Sequence, residues 1–183
     1  MQKTDLSKFD NSWYNPGGLF KRGVWFFVNV CVMQNRMNPF NGLRVFFLKI
    51  FGAKLGSGVV IKPNVNIKYP WKLEIGNNVW IGEQVWIDNL GEVKIGDNVC
   101  LSQGAMLLCG NHNYKKVEFD LVVGGITLEE GVWIGAHSIV CPGVSCKSHS
   151  ILSVNSVAVK TLEPYTIYQG NPAVEVHKRE FKD

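Results

Sequence analysis

The chain has 183 residues, 46% of them hydrophobic, and 19 Lys and Arg against 15 Asp and Glu give it a formal net charge of +4. That length and apolar content suit one folded unit with a sizeable core and exclude an intrinsically disordered chain. The five cysteines (Cys31, Cys100, Cys109, Cys141 and Cys146) are odd in number and form no Cys-x-x-Cys pair, so buried free thiols in a reducing compartment are expected rather than disulfides or a metal site.

Residues 1–14 are polar and lack the apolar core of a secretory signal, which leads to the expectation of a cytoplasmic protein. Two apolar stretches follow. Residues 24–33 are too short to span a bilayer, and residues 43–51 have the mixed basic and aromatic character of an amphipathic helix; Pro39 and Gly42 divide them. Residues 1–54 are therefore read as a helical cap that covers the open end of the structure after it, because an uncovered parallel stack exposes unpaired strand edges. Lys21, Arg22, Arg36, Arg44, Lys49 and Lys54 surround the aromatic residues of this cap. Peripheral contact with the inner face of a membrane is the second reading of the same residues.

From Leu55 onward a branched aliphatic or its stand-in recurs every sixth residue. The runs are Leu55, Ile61, Ile67; Ile75, Ile81, Ile87; Ile95, Leu101, Leu107; and Leu128, Ile134, Val140, Cys146, Leu152, Ala158. A helix repeats about every 3.6 residues and a strand every second residue, so neither explains this beat. It marks a solenoid in which each six-residue unit forms a short strand and a corner, and three units close one triangular coil. The aliphatic points inward, and five coils over residues 55–163 place 55, 75, 95, 128 and 146 above one another, with matching columns on two other faces. Gly56, Gly76, Gly82, Gly96 and Gly135 follow the aliphatic, where a corner needs either tight packing or positive φ.

The beat has one large break. After Leu107 the next inward residue is Leu128, so residues 113–125 must leave the coil as an excursion, and loops ejected from a rigid scaffold commonly carry function. His112 stands immediately before it, and histidine is the side chain best suited to take a proton near neutral pH. Asp88 and Asn89 lie one coil beneath Leu108 and Cys109, which places their polar groups near His112. Glu92 would stack below His112 if the register holds. Trp80, Val85 and Trp86 are expected on flat outer faces, and residues 164–183 form a C-terminal tail.

Asp10-Asn11-Ser12-Trp13-Tyr14, Phe51-Gly52-Ala53-Lys54, Tyr69-Pro70-Trp71-Lys72-Leu73, Trp80-Ile81-Gly82-Glu83, Trp86-Ile87-Asp88-Asn89-Leu90, Trp133-Ile134-Gly135-Ala136 and Gly170-Asn171-Pro172-Ala173 run almost end to end through the chain. On these stretches the sequence resembles the hexapeptide-repeat acyltransferases with a left-handed parallel β-helix, an all-β fold, and within them the colanic acid biosynthesis acetyltransferase group. The resemblance implies a homotrimer that moves an acetyl group from acetyl-CoA to a sugar hydroxyl in grooves between subunits, in surface or exopolysaccharide synthesis. His112 falls at the family's general base. Asp88, Asn89 and Trp86 become candidates for the saccharide acceptor site. Trp133, Gly135, Ala136 and Val154 match corners that hold the pantetheine arm, although residues 153–156 depart from the commoner Gly-Ala-Gly-Ser pattern. Lys160 and Arg179, beside His177 and Lys178, are candidates for the CoA phosphates.

No metal and no nucleic acid is expected. A zinc enzyme on the same solenoid, a γ-type carbonic anhydrase, needs three converging histidines, whereas His112, His137, His149 and His177 have no paired spacing. The rival readings are acetyl transfer to an amino sugar or to an antibiotic hydroxyl, and a non-catalytic trimeric scaffold. The excursion holds Tyr114, Lys115, Lys116 and Phe119, and is expected to wall the acceptor groove by reaching a neighbouring subunit, with Phe119 as its anchor.

Overall fold

The computed structural model describes residues 3–182. Every six-residue unit from Leu55 forms a strand of two or three residues, and the strands stack in parallel into three sheets. On the first face Leu55, Ile75, Ile95, Leu128 and Cys146 stand in one register column. Ile61, Ile81, Leu101, Ile134 and Leu152 form the second column. Ile67, Ile87, Leu107, Val140 and Ala158 form the third. Apart from half-buried Leu55, all of these residues are buried, and each large aliphatic so placed contributes about 1.5–3 kcal/mol. Two residues before each comes a second inward position, held by Val59, Val79, Val85, Val99, Ala105 and Ser138 among others, all buried. Val85 thus belongs to the core and not to an outer face. Trp80 and Trp86 do point outward.

The corners divide the work of turning between two positions. The glycine that follows an aliphatic serves close stacking: a Cβ on Gly135 would stand 2.6 Å from the Val154 nitrogen of the next coil. Positive φ occurs three residues after the aliphatic, at Asn64, Gln84, Gly104, His137 and Asn155 on one edge and at Gly58, Asn78, Asn98, Gly131 and His149 on another. Gly104 and His137 alternate for a reason, because a Cβ on Gly104 would lie 2.5 Å from His137 Nδ1. The third edge, from the third face back to the first, has this turn at Gly143 (φ +79) but not in the earlier coils, and there the chain makes its excursion after Leu107.

Both open ends of the stack are covered. At the start lie helices α1 (Leu19–Val28), extended by a π-helical turn over Asn29–Met33, and α2 (Asn41–Ile50). Their buried polar side chains pair with backbone groups that the first coil would otherwise leave without partners. Trp25 Nε1 donates to the Ile67 carbonyl at 2.8 Å, and Asn41 both donates to the Val59 carbonyl and accepts from the Ile61 amide. Arg44, 2% exposed, donates from Nε to the Ile61 carbonyl at 2.9 Å and from Nη1 to the Asn38 carbonyl at 2.7 Å. At the far end Thr166–Gly170 adds a parallel strand to the second face beside Ile151–Leu152, and Ala173–Lys178 returns antiparallel to it through the cis Asn171–Pro172 bond. Residues 164–183 are accordingly built into the second sheet up to Lys178.

Arg44→Ala would leave two buried carbonyls without donors and open a cavity, at a cost of about 3 kcal/mol. Urea unfolding of the variant is expected to show that loss, with near-wild-type spectroscopic signals from the coil stack before the transition.

Candidate active site

The excursion is a two-stranded antiparallel hairpin of Gly110–His112 with Leu121–Val123. His112 therefore lies inside the hairpin, on its outgoing strand. The hairpin is closed by the Asn113 amide on the Asp120 carbonyl at 2.8 Å and by a Lys116–Asp120 ion pair at 2.8 Å. Phe119 adopts φ +54, a left-handed conformation that turns its carbonyl back toward the strand. His112 Nδ1 lies 2.9 Å from that oxygen. A carbonyl can only accept, so Nδ1 carries the proton and Nε2 keeps its lone pair in the neutral ring. The Phe119 ring stacks on the same imidazole, with centroids 4.4 Å apart and planes 6° from parallel, and Phe9 approaches it at 5.7 Å. Phe119 thus anchors the histidine of its own chain.

Phe9 arrives on the polar N-terminal segment, which crosses the hairpin where the Asp5 amide donates to the Val117 carbonyl. The segment is fastened one corner below, where Tyr14 Oη and Lys72 Nζ both donate to the Leu90 carbonyl at 2.8 and 2.7 Å. Burial raises the Tyr14 hydroxyl above its ordinary range and lowers the Lys72 ammonium, as expected for groups that serve as fixed donors away from bulk water. Cys109 is no rival nucleophile: it is buried, and desolvation pushes its thiol up to about 11.

At the foot of the hairpin a cavity of about 440 Å³ opens between α1 and the third face, lined in part by Arg22, Asn66, Lys68, Tyr69, Trp86 and Asp88. Asp88 pairs with Lys68 at 2.8 Å, and its Oδ2 lies 3.9 Å from where a Cβ on Gly110 would stand. Two of the three expected acceptor residues, Trp86 and Asp88, thus share one aromatic and polar cavity below His112. Asn89 does not join them. It is fully buried, and it accepts from the Tyr69 amide and donates to the Tyr69 and Lys72 carbonyls, which makes it a clamp on the corner between coils. Glu92 also falls elsewhere: its carbonyl accepts from the Ile126 amide, so it lies beneath Gly125 at the returning end of the excursion. Phe9, Tyr14 and Lys72 were not singled out from the sequence, since nothing local to the polar N-terminus announces that it returns to a hairpin a hundred residues later.

The expected CoA residues are spread over different edges of the prism. Trp133 lies on the second face, where its Nε1 donates to Ser102 Oγ at 2.9 Å. Ala136 and Val154 stack at the corner that follows, linked by the Asn155 amide on the Ala136 carbonyl, and Gly135 serves coil stacking there. Lys160 stands exposed beyond Ala158, on the same edge as the hairpin. Arg179 is on the remaining edge, where Nη1 donates to the Gly131 and His149 carbonyls at 3.0 and 3.2 Å and the guanidinium packs on Phe181. That role in fastening the C-terminal segment was not foreseen. Beside it a groove of about 620 Å³ has an apolar floor of Trp133, Ile151 and Ile167 and a rim that includes His177, Lys178, Arg179 and Lys182. Within one chain this groove and His112 occupy different edges. Among the described residues no three His, Cys, Asp or Glu side chains come together to hold a metal ion, since His112, His137 and His149 sit on three separate edges.

No protein-family model matches the chain. It is 33% identical, over 96% of its own length and 97% of the relative's, to a protein of Escherichia coli K12 named colanic acid biosynthesis acetyltransferase WcaF. It is 28% identical to the galactoside O-acetyltransferase of the same organism, over 70% of this chain and 65% of that one. Among solved structures, a hexapeptide-repeat acetyltransferase of Vibrio cholerae superposes with a TM-score of 0.80 at 19% identity, covering 88% of this chain and 92% of that one; a second structure of it, in complex with acetyl-CoA, gives 0.79 with 88% of each chain covered. This likeness identifies the solenoid as the left-handed parallel β-helix. With the repeat register, the fold and an end-to-end relative in agreement, the chain belongs to the hexapeptide-repeat acetyltransferases, in the family of the colanic acid biosynthesis acetyltransferases.

Proposed function

We propose that the protein transfers the acetyl group of acetyl-CoA to a hydroxyl of a saccharide acceptor in polysaccharide synthesis, with His112 as general base and with a site completed between subunits of a homotrimer. The observation that carries this reading is the clamp on His112, in which the Phe119 carbonyl holds Nδ1–H and leaves Nε2 as the basic nitrogen. Nε2 removes the proton of the acceptor hydroxyl as its oxygen attacks the thioester carbonyl. The C–S bond then breaks, and the imidazolium returns the proton to the departing thiolate. No acyl-enzyme is required, and the high pKa of buried Cys109 supports that route. Much of the acceleration would come from aligning the two substrates. The cavity at the foot of the hairpin, with Trp86 as an aromatic wall and the Asp88–Lys68 pair beside it, suits the apolar face and hydroxyls of a sugar.

The outer columns of the three faces support assembly. The first face carries Lys54, Glu74, Lys94, Thr127 and Ser145, a polar surface laced by the Lys54–Glu74 ion pair. The second carries Val60, Trp80, Cys100, Trp133 and Ile151, and the third Asn66, Trp86, Met106, Ile139 and Val157. A prism with two apolar faces and one charged face fits a closed threefold arrangement that turns the charged face to solvent. Such packing would bring the hairpin edge of one chain against the CoA groove of the next. This supplies what the separated groove and histidine of a single chain lack.

Light scattering is expected to give a mass three times the 20.5 kDa of one chain; a monomer at micromolar concentration would contradict the shared site. His112→Ala should fold and bind CoA normally while turnover on a panel of saccharide acceptors falls by about 10² to 10⁴. Loss below about tenfold would remove the histidine from its role as base. The clamp has its own test. Phe119→Gly keeps the left-handed backbone and the carbonyl, whereas Phe119→Val disfavours that backbone, so turnover should fall further for Val than for Gly with little change in the KM for acetyl-CoA. If Phe119 served packing alone, Val would be the milder change.

A further inference from the structure

The first part of the chain has a charge balance unlike the rest. Residues 11–73 contain nine Lys or Arg and no Asp or Glu, which leaves 10 basic and 15 acidic residues for the remainder of the sequence. Both cap helices belong to this stretch, and their outward surfaces are apolar. α1 turns Trp25, and its extension turns Asn29 and Met33, toward the coils. The opposite side shows Phe20, Val24 and Phe27 at helical spacing, flanked by Leu19, Phe26 and Val30, with Phe20 86% exposed. α2 buries Arg44 and Leu48 and exposes Leu43, Phe46 and Ile50, while Met37 (90% exposed) and Phe40 stand out from the turn that joins the helices. α2 packs against the α1 extension, so the two outer surfaces adjoin. An outward apolar surface of this extent has to be covered, either by protein or by lipid.

We infer that this outer surface of α1 and α2 docks the protein in the interface of an anionic membrane. The aromatic residues would enter the boundary between headgroups and acyl chains, and Lys21, Arg36 and Lys49, all exposed, would meet lipid phosphates. Neither helix is long enough to cross: among the described residues no helix is long and apolar enough to span a membrane. The attachment is therefore peripheral, with two signals, apolar insertion and charge, acting together. Charge also sets the orientation, since the basic cap is drawn to the anionic surface while the more acidic solenoid is held away from it. A second copy pressed symmetrically against the same surface would set basic cap against basic cap, which like charges oppose.

The full chain is to be sedimented with phosphatidylcholine vesicles, either neutral or containing about one third phosphatidylglycerol. Binding to the anionic vesicles, weakened by high salt and much reduced on neutral ones, is expected. The K21E/R36E/K49E variant should lower the partition by on the order of a hundredfold, and F20S/F27S/F46S by a similar factor through lost apolar insertion. Both variants should keep the wild-type melting temperature, light-scattering mass and rate of acetyl transfer in solution. No binding to anionic vesicles, or equal binding to neutral ones with the charge-reversal variant unaffected, overturns the inference. It is also overturned if F20S/F27S/F46S binds vesicles as the wild type does but has a smaller mass in solution, because the surface would then be a contact between copies of the chain.

Discussion

Every other feature of this structure depends on the vertical registration of its coils. Each strand has only two or three residues, too few to persist alone, and is held by backbone hydrogen bonds to the coils above and below and by the aliphatic column behind it. Registration requires that each face repeat the same short strand, and only the third corner varies, so that Leu55 pairs with Ile75 while Leu128 pairs with Cys146 two residues sooner. The six-residue beat in the sequence is the record of that requirement. It also makes the core continuous: Ile61, Ile81, Leu101, Ile134 and Leu152 pack end on along the axis, and a shift of one residue would drive polar neighbours inward.

Registration has a cost at both ends, where coils have no neighbour. The C-terminal end is closed with the chain's own backbone, by folding residues 166–178 onto the second face. The N-terminal end is closed with side chains, as Trp25, Asn41 and Arg44 reach from helices to individual carbonyls and amides. A cap of this kind needs few acidic groups, because its inward partners are carbonyl oxygens, which leaves the outer surface free for another use. The basic and aromatic surface proposed to meet lipid is the other side of the same two helices.

The proposed site sits where registration is interrupted. On the edge between the third and first faces the coil that ends at Leu107 has no left-handed corner residue, and the chain leaves as a hairpin and rejoins with Ile126 registered on Val93. The hairpin is held by contacts peculiar to it: Phe119 offers its ring and its carbonyl to one imidazole, and Phe9 packs on that imidazole from the N-terminal segment. A scaffold that keeps its strands in register thus allows one large departure and braces it. The separation between that hairpin and the groove beside Arg179 is why a trimer is the assembly that fits the proposed chemistry.

How much could be read from the chain follows from the range of the interactions involved. The columns, the coil edge at which the excursion occurs, and the place of His112 beside it are set by a repeat that acts at every coil, so the periodicity alone located them. Residues that face single, non-repeating partners were beyond it. Asn89 looked like a groove residue because alternation cannot distinguish a side chain that points out from one that folds back onto Tyr69. Glu92 was misplaced because the hairpin begins at Gly110, which puts Gly125 rather than His112 above it. The bonds of Arg179 to the carbonyls of Gly131 and His149 were likewise beyond the sequence, because a terminal charge run shows nothing of them. The sequence by itself determined the solenoid, its register and its one histidine at the break, because those follow from a local pattern repeated many times. Only the tertiary structure decided the tautomer of that histidine, the role of Phe119 and the division of the site among edges, because each depends on contacts between segments far apart in the chain that no periodicity encodes.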